Sequence, residues 1–213
     1  MPSVALTARL LTERGHRVLL HGRNRDKLDR VATDLGAGAD RRWVADLARL
    51  EEVAAMAARL TDRHPAVDVL INNAGVLKTP EPRTPEGYDI RFVVNAVAPY
   101  VLTRRLLPVI PADGRIVNLS SAAQAPVEVD ALLGRMRLSD MDAYAQSKLA
   151  ITIWSQELAR ELEAGPTVVR LSKRGRAPSR PSLRTARNRR RARRLKPAIQ
   201  SRRRRDHDAA HRG

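Results

Sequence analysis

The sequence predicts an α/β domain built on a doubly wound, mostly parallel sheet, and three observations carry that prediction. Between Ser3 and Val169, short β-branched or apolar runs alternate strictly with longer amphipathic stretches, which is the order of βαβ units. Each short run is mainly apolar, as strands covered on both faces should be. A chain of 213 residues is long enough to bury one substantial core.

In chain order, the first helix is expected at about Ala5 to Arg14, followed by a strand from Arg17 to His21. A second helix, Arg25 to Leu35, leads to a strand at Arg42 to Ala45, and a third, Leu50 to Arg63, to a strand at Val67 to Ile71. A long helix from about Glu86 to Leu107 precedes the strand Arg115 to Leu119. The last helix, Met141 to Glu163, leads into a strand at Thr167 to Arg170.

The net charge of +17 lies almost wholly at one end. Residues 170–213 carry sixteen Arg and two Lys against Asp206 and Asp208, a balance of +16, so the body from 1 to 169 is close to neutral. From Leu171 onward Arg, Pro, Ser and Ala dominate, with no aromatic residue and no apolar periodicity. Such a tail buries too little apolar surface to offset its chain entropy and is expected to be disordered by itself. The division is therefore a folded domain over 1–169 and an Arg-rich tail over 170–213. No cysteine is present, which excludes disulfides and thiolate metal sites, and the five histidines are scattered. No apolar run reaches about 18 residues and no signal-like segment opens the chain, so no membrane span and a cytoplasmic location are expected.

Three motifs carry chemistry. Tyr144 and Lys148, in Tyr144-Ala145-Gln146-Ser147-Lys148, share a helix face. A phenol ionises only near pH ~10 in water, but a cation held beside it favours the phenolate, which makes a general acid and base. Asn72-Asn73-Ala74-Gly75 follows a strand directly, where ligands meet the carboxyl ends of strands in open α/β sheets, and its small residues let a cofactor approach the backbone. Ser120 and Ser121 end the next strand, where a hydroxyl could hydrogen-bond a substrate carbonyl.

Across about residues 3 to 169 these motifs, in this order, resemble the short-chain dehydrogenase/reductase family, whose sheet is Rossmann-like. The resemblance implies that Asn72, Ala74 and Gly75 line the cofactor and that Asn95, within Phe92-Val93-Val94-Asn95-Ala96, supports a proton-relay water. It makes Ser121, the second of its pair, the residue that polarises the carbonyl, Tyr144 the acid/base, and Lys148 the lysine that binds the nicotinamide ribose. The cofactor would supply the hydride and the protein the orientation and the proton. Arg23 stands where an acidic residue would select NAD, and an arginine there pairs with the 2′-phosphate of NADP, so NADP is expected, with NAD possible. Asp46 resembles the aspartate that contacts the adenine, although a helix N-cap ahead of Leu47 is an equally good reading. The 23 residues from Ser121 to Tyr144, and Thr84-Pro85-Glu86-Gly87-Tyr88 ahead of the Asn95 helix, look like the retinol-dehydrogenase-like branch. That branch implies a small lipophilic alcohol or ketone as substrate. Family members commonly pair through the helices around Asn95 and Tyr144, which implies a homo-oligomer.

The sequence departs from the family at both ends. The family opens with a central strand and a glycine-rich turn that holds the pyrophosphate. Here Met1 to Val4 stand where the last glycines should be. The expected consequences are weak cofactor binding, doubtful activity, and strands at Arg17 to His21 and Val67 to Ile71 without their shared neighbour. After Pro166-Thr167-Val168-Val169 the family continues with a Pro-Gly turn and a further strand, whereas Leu171-Ser172-Lys173-Arg174 follows here. That change fits translation of a GC-rich gene in a shifted frame. The rival reading is a catalytically dead protein whose tail binds nucleic acid or anionic membrane through charge.

Overall fold

The computed structural model of the chain describes residues 2–163 and 165–173. The basic stretch from Arg174 onward, with its proposed disorder and nucleic-acid binding, lies outside the described residues.

Helix α1 (Pro2–Glu13) ends in a turn at Gly15, whose φ of 83° favours glycine. Strand β1 (Leu20–Gly22) begins later than the sequence suggested, because its partner β2 (Arg42–Val44) starts only after a 3₁₀ turn at Ala39–Arg41 and pairing opens at Leu20 with Arg42. Between them α2 (Arg25–Asp34) is capped by Asn24, whose side chain accepts from Lys27 N at 2.9 Å. Helix α3 (Leu50–Arg63) leads to β3 (Val69–Asn72), where Val67 is diverted to bond Val109 O at 2.8 Å.

The long helix expected from Glu86 is shorter and interrupted. Gly87, at φ 90°, turns the chain, and Asp89 caps a short α4 (Ile90–Phe92), which runs through a π-turn (Val93–Val97) into α5 (Ala98–Leu106). Pro99 explains the widening: it has no N–H for the carbonyl of Asn95 four residues back, and Ala98 N instead reaches Val93 O. Strand β4 (Arg115–Ser121), a short α6 (Val129–Leu132), α7 (Asp140–Glu161) and β5 (Thr167–Lys173) complete the order. β5 runs three residues past the expected end at Arg170, since all seven of its residues pair with β4.

Every strand pairing is parallel, as expected, but the sheet is in two pieces: β1 with β2, and β3–β4–β5. Among the described residues no ladder joins β1 to β3. The main core lies where α3, α5 and α7 cover one face, with Trp43, Met56, Leu106, Ile116 and Leu158 buried. A smaller cluster of Ala8, Leu20, Leu28 and Ala32 lies under α1 and α2. Among the described residues no helix is long and apolar enough to cross a membrane.

Candidate active site

Of the expected residues, Asn72, Gly75, Asn95, Ser121, Tyr144 and Lys148 lie at or after the carboxyl ends of β3 and β4, in the π-turn and in the first half of α7, whereas Arg23 and Asp46 follow β1 and β2. α7 is started by Ser139, whose hydroxyl accepts from Asp142 N, and it presents Tyr144 and Lys148 one turn apart. Lys148 Nζ lies 5.8 Å from the centroid of the Tyr144 ring and donates to Leu119 O at 2.8 Å. The Tyr144 hydroxyl has no hydrogen-bond partner among the described residues, and the ring is partly exposed. Lys148 is only 5% exposed, and burial alone pulls its ammonium down to about 8. A lysine in that state is a strong donor that is readily neutralised.

Asn95 is fully buried in the π-turn and its side chain is completely committed. Oδ1 accepts from Val76 N at 2.8 Å, while Nδ2 donates to Val76 O and to Ser147 Oγ, each at 2.9 Å. Ser147 in turn donates to Tyr144 O at 2.7 Å. Asn95 therefore fastens the loop after β3 to α7 by its side chain. Its backbone carbonyl has no α-helical donor, because Pro99 stands four residues on.

Gly75 sits inside this cluster. A Cβ there would stand 3.3 Å from Asn95 Oδ1 and 3.4 Å from Lys148 Nζ, so glycine keeps open the space between them. Asn72 behaves differently: its Nδ2 donates to Thr103 Oγ1 at 3.0 Å and to Asn118 Oδ1 at 2.8 Å, so the side chain turns into the protein and ties β3 to α5 and β4. Ala74, between the two, is half-buried.

The serine pair separates to opposite faces, as successive residues of a strand must. Ser120 is buried, with its hydroxyl shared among Lys148 O, Thr152 Oγ1 and Gln124 Nε2. Ser121 lies on the other face, half-buried, and only accepts from Ala123 N at 3.1 Å, so its O–H is uncommitted among the described residues. Arg23 is exposed between the end of β1 and the cap of α2 and forms no ion pair among the described residues. Asp46 is not the helix cap: Arg49 holds that position, and Asp46 Oδ1 closes a local turn on Ala48 N at 2.9 Å.

Several members of this cluster were not singled out in the sequence. Ser147 stood inside the Tyr144 motif and could have been read from its spacing, three residues after Tyr144. Asn118, Thr103 and Ser155 form a buried polar chain with Asn72 that no local pattern announces, since its members lie 31 to 46 residues from Asn72 or pair over 37 residues. Arg91, 2% exposed, binds Asp89 through two nitrogens and also Asp140 at the start of α7, which joins the Asn95 and Tyr144 helices.

The family model for short chain dehydrogenases matches residues 5–172. The chain belongs to the short-chain dehydrogenase family. Among relatives of this family, human retinol dehydrogenase 13 is 35% identical over 172 residues, covering 76% of this chain and 52% of the relative. Mouse retinol dehydrogenase 12 is 34% identical over 165 residues, with 74% and 52% covered. These place the similarity in the retinol-dehydrogenase-like branch, and this short-chain dehydrogenase spans about half the length of the curated relatives it matches. A metagenomic short-chain oxidoreductase solved in complex with NADP superposes with a TM-score of 0.63 at 30% identity, covering 80% of this chain and 75% of that one. A short-chain dehydrogenase from Streptomyces avermitilis gives 0.61 at 27% identity, with 79% and 60% covered.

Proposed function

We propose that the chain is an oxidoreductase that interconverts a lipophilic alcohol and its carbonyl compound with NADP. The observation that carries this reading is the convergence of Tyr144, Lys148, Ser121 and Gly75 at the carboxyl ends of β3 and β4. There Lys148 borders both the Tyr144 ring and the space at Gly75, and β4 ends at Ser121, whose hydroxyl donates to no described residue.

The residues present fit the nicotinamide end of the cofactor. Gly75 leaves room beside the backbone, and Lys148 offers a buried donor with no carboxylate partner among the described residues, suited to ribose hydroxyls. Arg23, exposed and unpaired beside the α2 N-terminus, fits a 2′-phosphate, which favours NADP over NAD. The cofactor, when bound, supplies or accepts the hydride. In reduction Ser121 donates to the carbonyl oxygen and Tyr144 gives it a proton, while Lys148 and a water on the Asn95 carbonyl restore that proton.

Retinol dehydrogenases among the relatives support a lipophilic substrate. Tyr100 and Ile153, exposed on α5 and α7, support pairing of two copies through those helices. The test is NADPH oxidation by the purified chain with medium-chain and polyene aldehydes. Turnover that prefers NADPH and rises with chain length supports the reading, and no turnover with any lipophilic aldehyde or ketone overturns it.

A further inference from the structure

Among the described residues Arg91, in the middle of α4, is the one arginine that is buried, and two carboxylates hold it. Its Nε donates to Asp89 Oδ1 at 2.8 Å and its Nη2 to Asp89 Oδ2 at 2.6 Å, a fork that fixes the plane of the guanidinium. Asp89 caps α4, is itself buried, and also accepts from Arg91 N at 2.9 Å. A guanidinium clamped in this way cannot turn. Its remaining nitrogen, Nη1, donates to Oδ1 of Asp140, the first residue of α7.

A second tie joins the same two segments further along, where Asn95 Nδ2 donates to Ser147 Oγ and Ser147 Oγ donates to Tyr144 O. Arg91 stands four residues ahead of Asn95, and Asp140 four ahead of Tyr144, so Tyr144 lies between the two ties. Both segments need the outer one. The π-turn that carries Asn95 is wider than an α-turn, so side-chain contacts on either side have to set its direction. The first turn of α7 is where a helix frays unless it is held, since its leading amides have no partner within the helix.

We propose, resting on the oxidoreductase reading above, that Arg91 is a positioning residue: through Asp140 it fixes where the Tyr144 hydroxyl stands against Ser121 and the substrate carbonyl. Arg91 ends on carboxylates and not on Tyr144, Lys148 or Ser121, so its effect passes through the placement of α7. Tyr144 and Lys148 share that helix, and their mutual spacing survives loss of the tie. The distance from Tyr144 to Ser121, at the end of β4, does not.

Cutting at Arg91 would strand the buried carboxylate of Asp89 and put folding itself at risk. Asp140→Ala instead breaks only the α7 side and leaves the Arg91–Asp89 pair whole. Asp140→Asn removes the same charge from the helix start but keeps an oxygen for Nη1, which separates the tie from the helix-end charge. The Asp140 side chain is 48% exposed, so both variants should melt within a few degrees of the unmodified chain.

The test measures NADPH oxidation with a lipophilic aldehyde and, independently of turnover, the NMR signals of ring-labelled tyrosine. The chain has three tyrosines, and Tyr144→Phe identifies the signal of Tyr144. Asp140→Ala should lower kcat by about tenfold or more, the scale of a reacting group displaced by part of an ångström, with KM for NADPH kept within about twofold. It should also move the Tyr144 signal. Asp140→Asn should keep kcat within about threefold and leave that signal in place. Unchanged kcat or an unmoved Tyr144 signal in Asp140→Ala overturns the assignment, as does an Asp140→Asn that behaves like Asp140→Ala. If the unmodified chain shows no turnover, the oxidoreductase reading fails by itself and the ring signal alone decides the tie: movement in Asp140→Ala but not in Asp140→Asn supports it, and any other pattern overturns it.

Discussion

Lys148 reaches Leu119 O at 2.8 Å from inside the protein, and burial is the only influence on its ammonium, held at about 8 against an ordinary 10.5. Between those two values the unfolded chain binds more protons than the folded one, so stability rises as pH climbs from about 8 to about 10.5. Below pH 8 the folded protein carries the full burden of a buried charge, about 3 kcal/mol at most. Lys148→Met removes that burden and leaves Leu119 O without its donor. The variant should be about 1–2 kcal/mol more stable at pH 7 and lose the rise toward pH 10.5. Urea unfolding at pH 7, 9 and 10.5 measures both.

Gly75→Ala places a methyl group 3.3 Å from Asn95 Oδ1 and 3.4 Å from Lys148 Nζ. Both neighbours are buried and bonded, so neither moves freely. Turnover should fall by about 100-fold or more, as when a reacting geometry slips by an ångström. Stability should change by less than about 1 kcal/mol, since Gly75 needs no positive φ and the contact is only slightly tight. Parallel rate assays and melting curves check the split.

Asn118 accepts from Asn72 and donates to Ser155, all out of contact with water. Asn118→Ala should cost about 1–3 kcal/mol, because buried Asn72 loses one of its two acceptors and the buried Ser155 hydroxyl loses the donor it accepts from, although Asn72 keeps Thr103 and Ser155 keeps Ile151 O. A melting temperature within a degree of the unmodified protein would contradict the network.

The strict alternation of elements was legible in the sequence because each run of apolar residues kept one period. The exact ends were not, since they depend on partners: β1 waits for β2, and β5 extends as far as β4 accompanies it. The break at the π-turn needed Pro99 to be weighed against a strong helical pattern, and the early end needed the turn at Gly87. Tyr144 and Lys148 were readable because their spacing puts both on one helix face, whereas Ser121 and Gly75 were taken from the resemblance of their motifs to the family's. The inward turn of Asn72 was not, since its partners Thr103 and Asn118 are distant in sequence and only the fold brings them near.

Arg23 stands exposed beside α2 and forms no ion pair among the described residues. Arg23→Ala should weaken NADPH far more than NADH, by about tenfold or more, as loss of a charge-assisted phosphate contact requires. Fluorescence titration with the two nucleotides decides it, and an equal effect on both would remove Arg23 from the site.

Tyr144 carries the central claim, that the phenol beside Lys148 moves the proton of a carbonyl reduction. The most direct measurement is NADPH oxidation at millimolar cofactor with a lipophilic aldehyde, comparing the unmodified chain with Tyr144→Phe, which deletes one oxygen and leaves the ring. The account predicts turnover in the first and a loss of about 100- to 10,000-fold in the second, the range of a general acid, with melting temperature unchanged. Equal rates in the two proteins would contradict it.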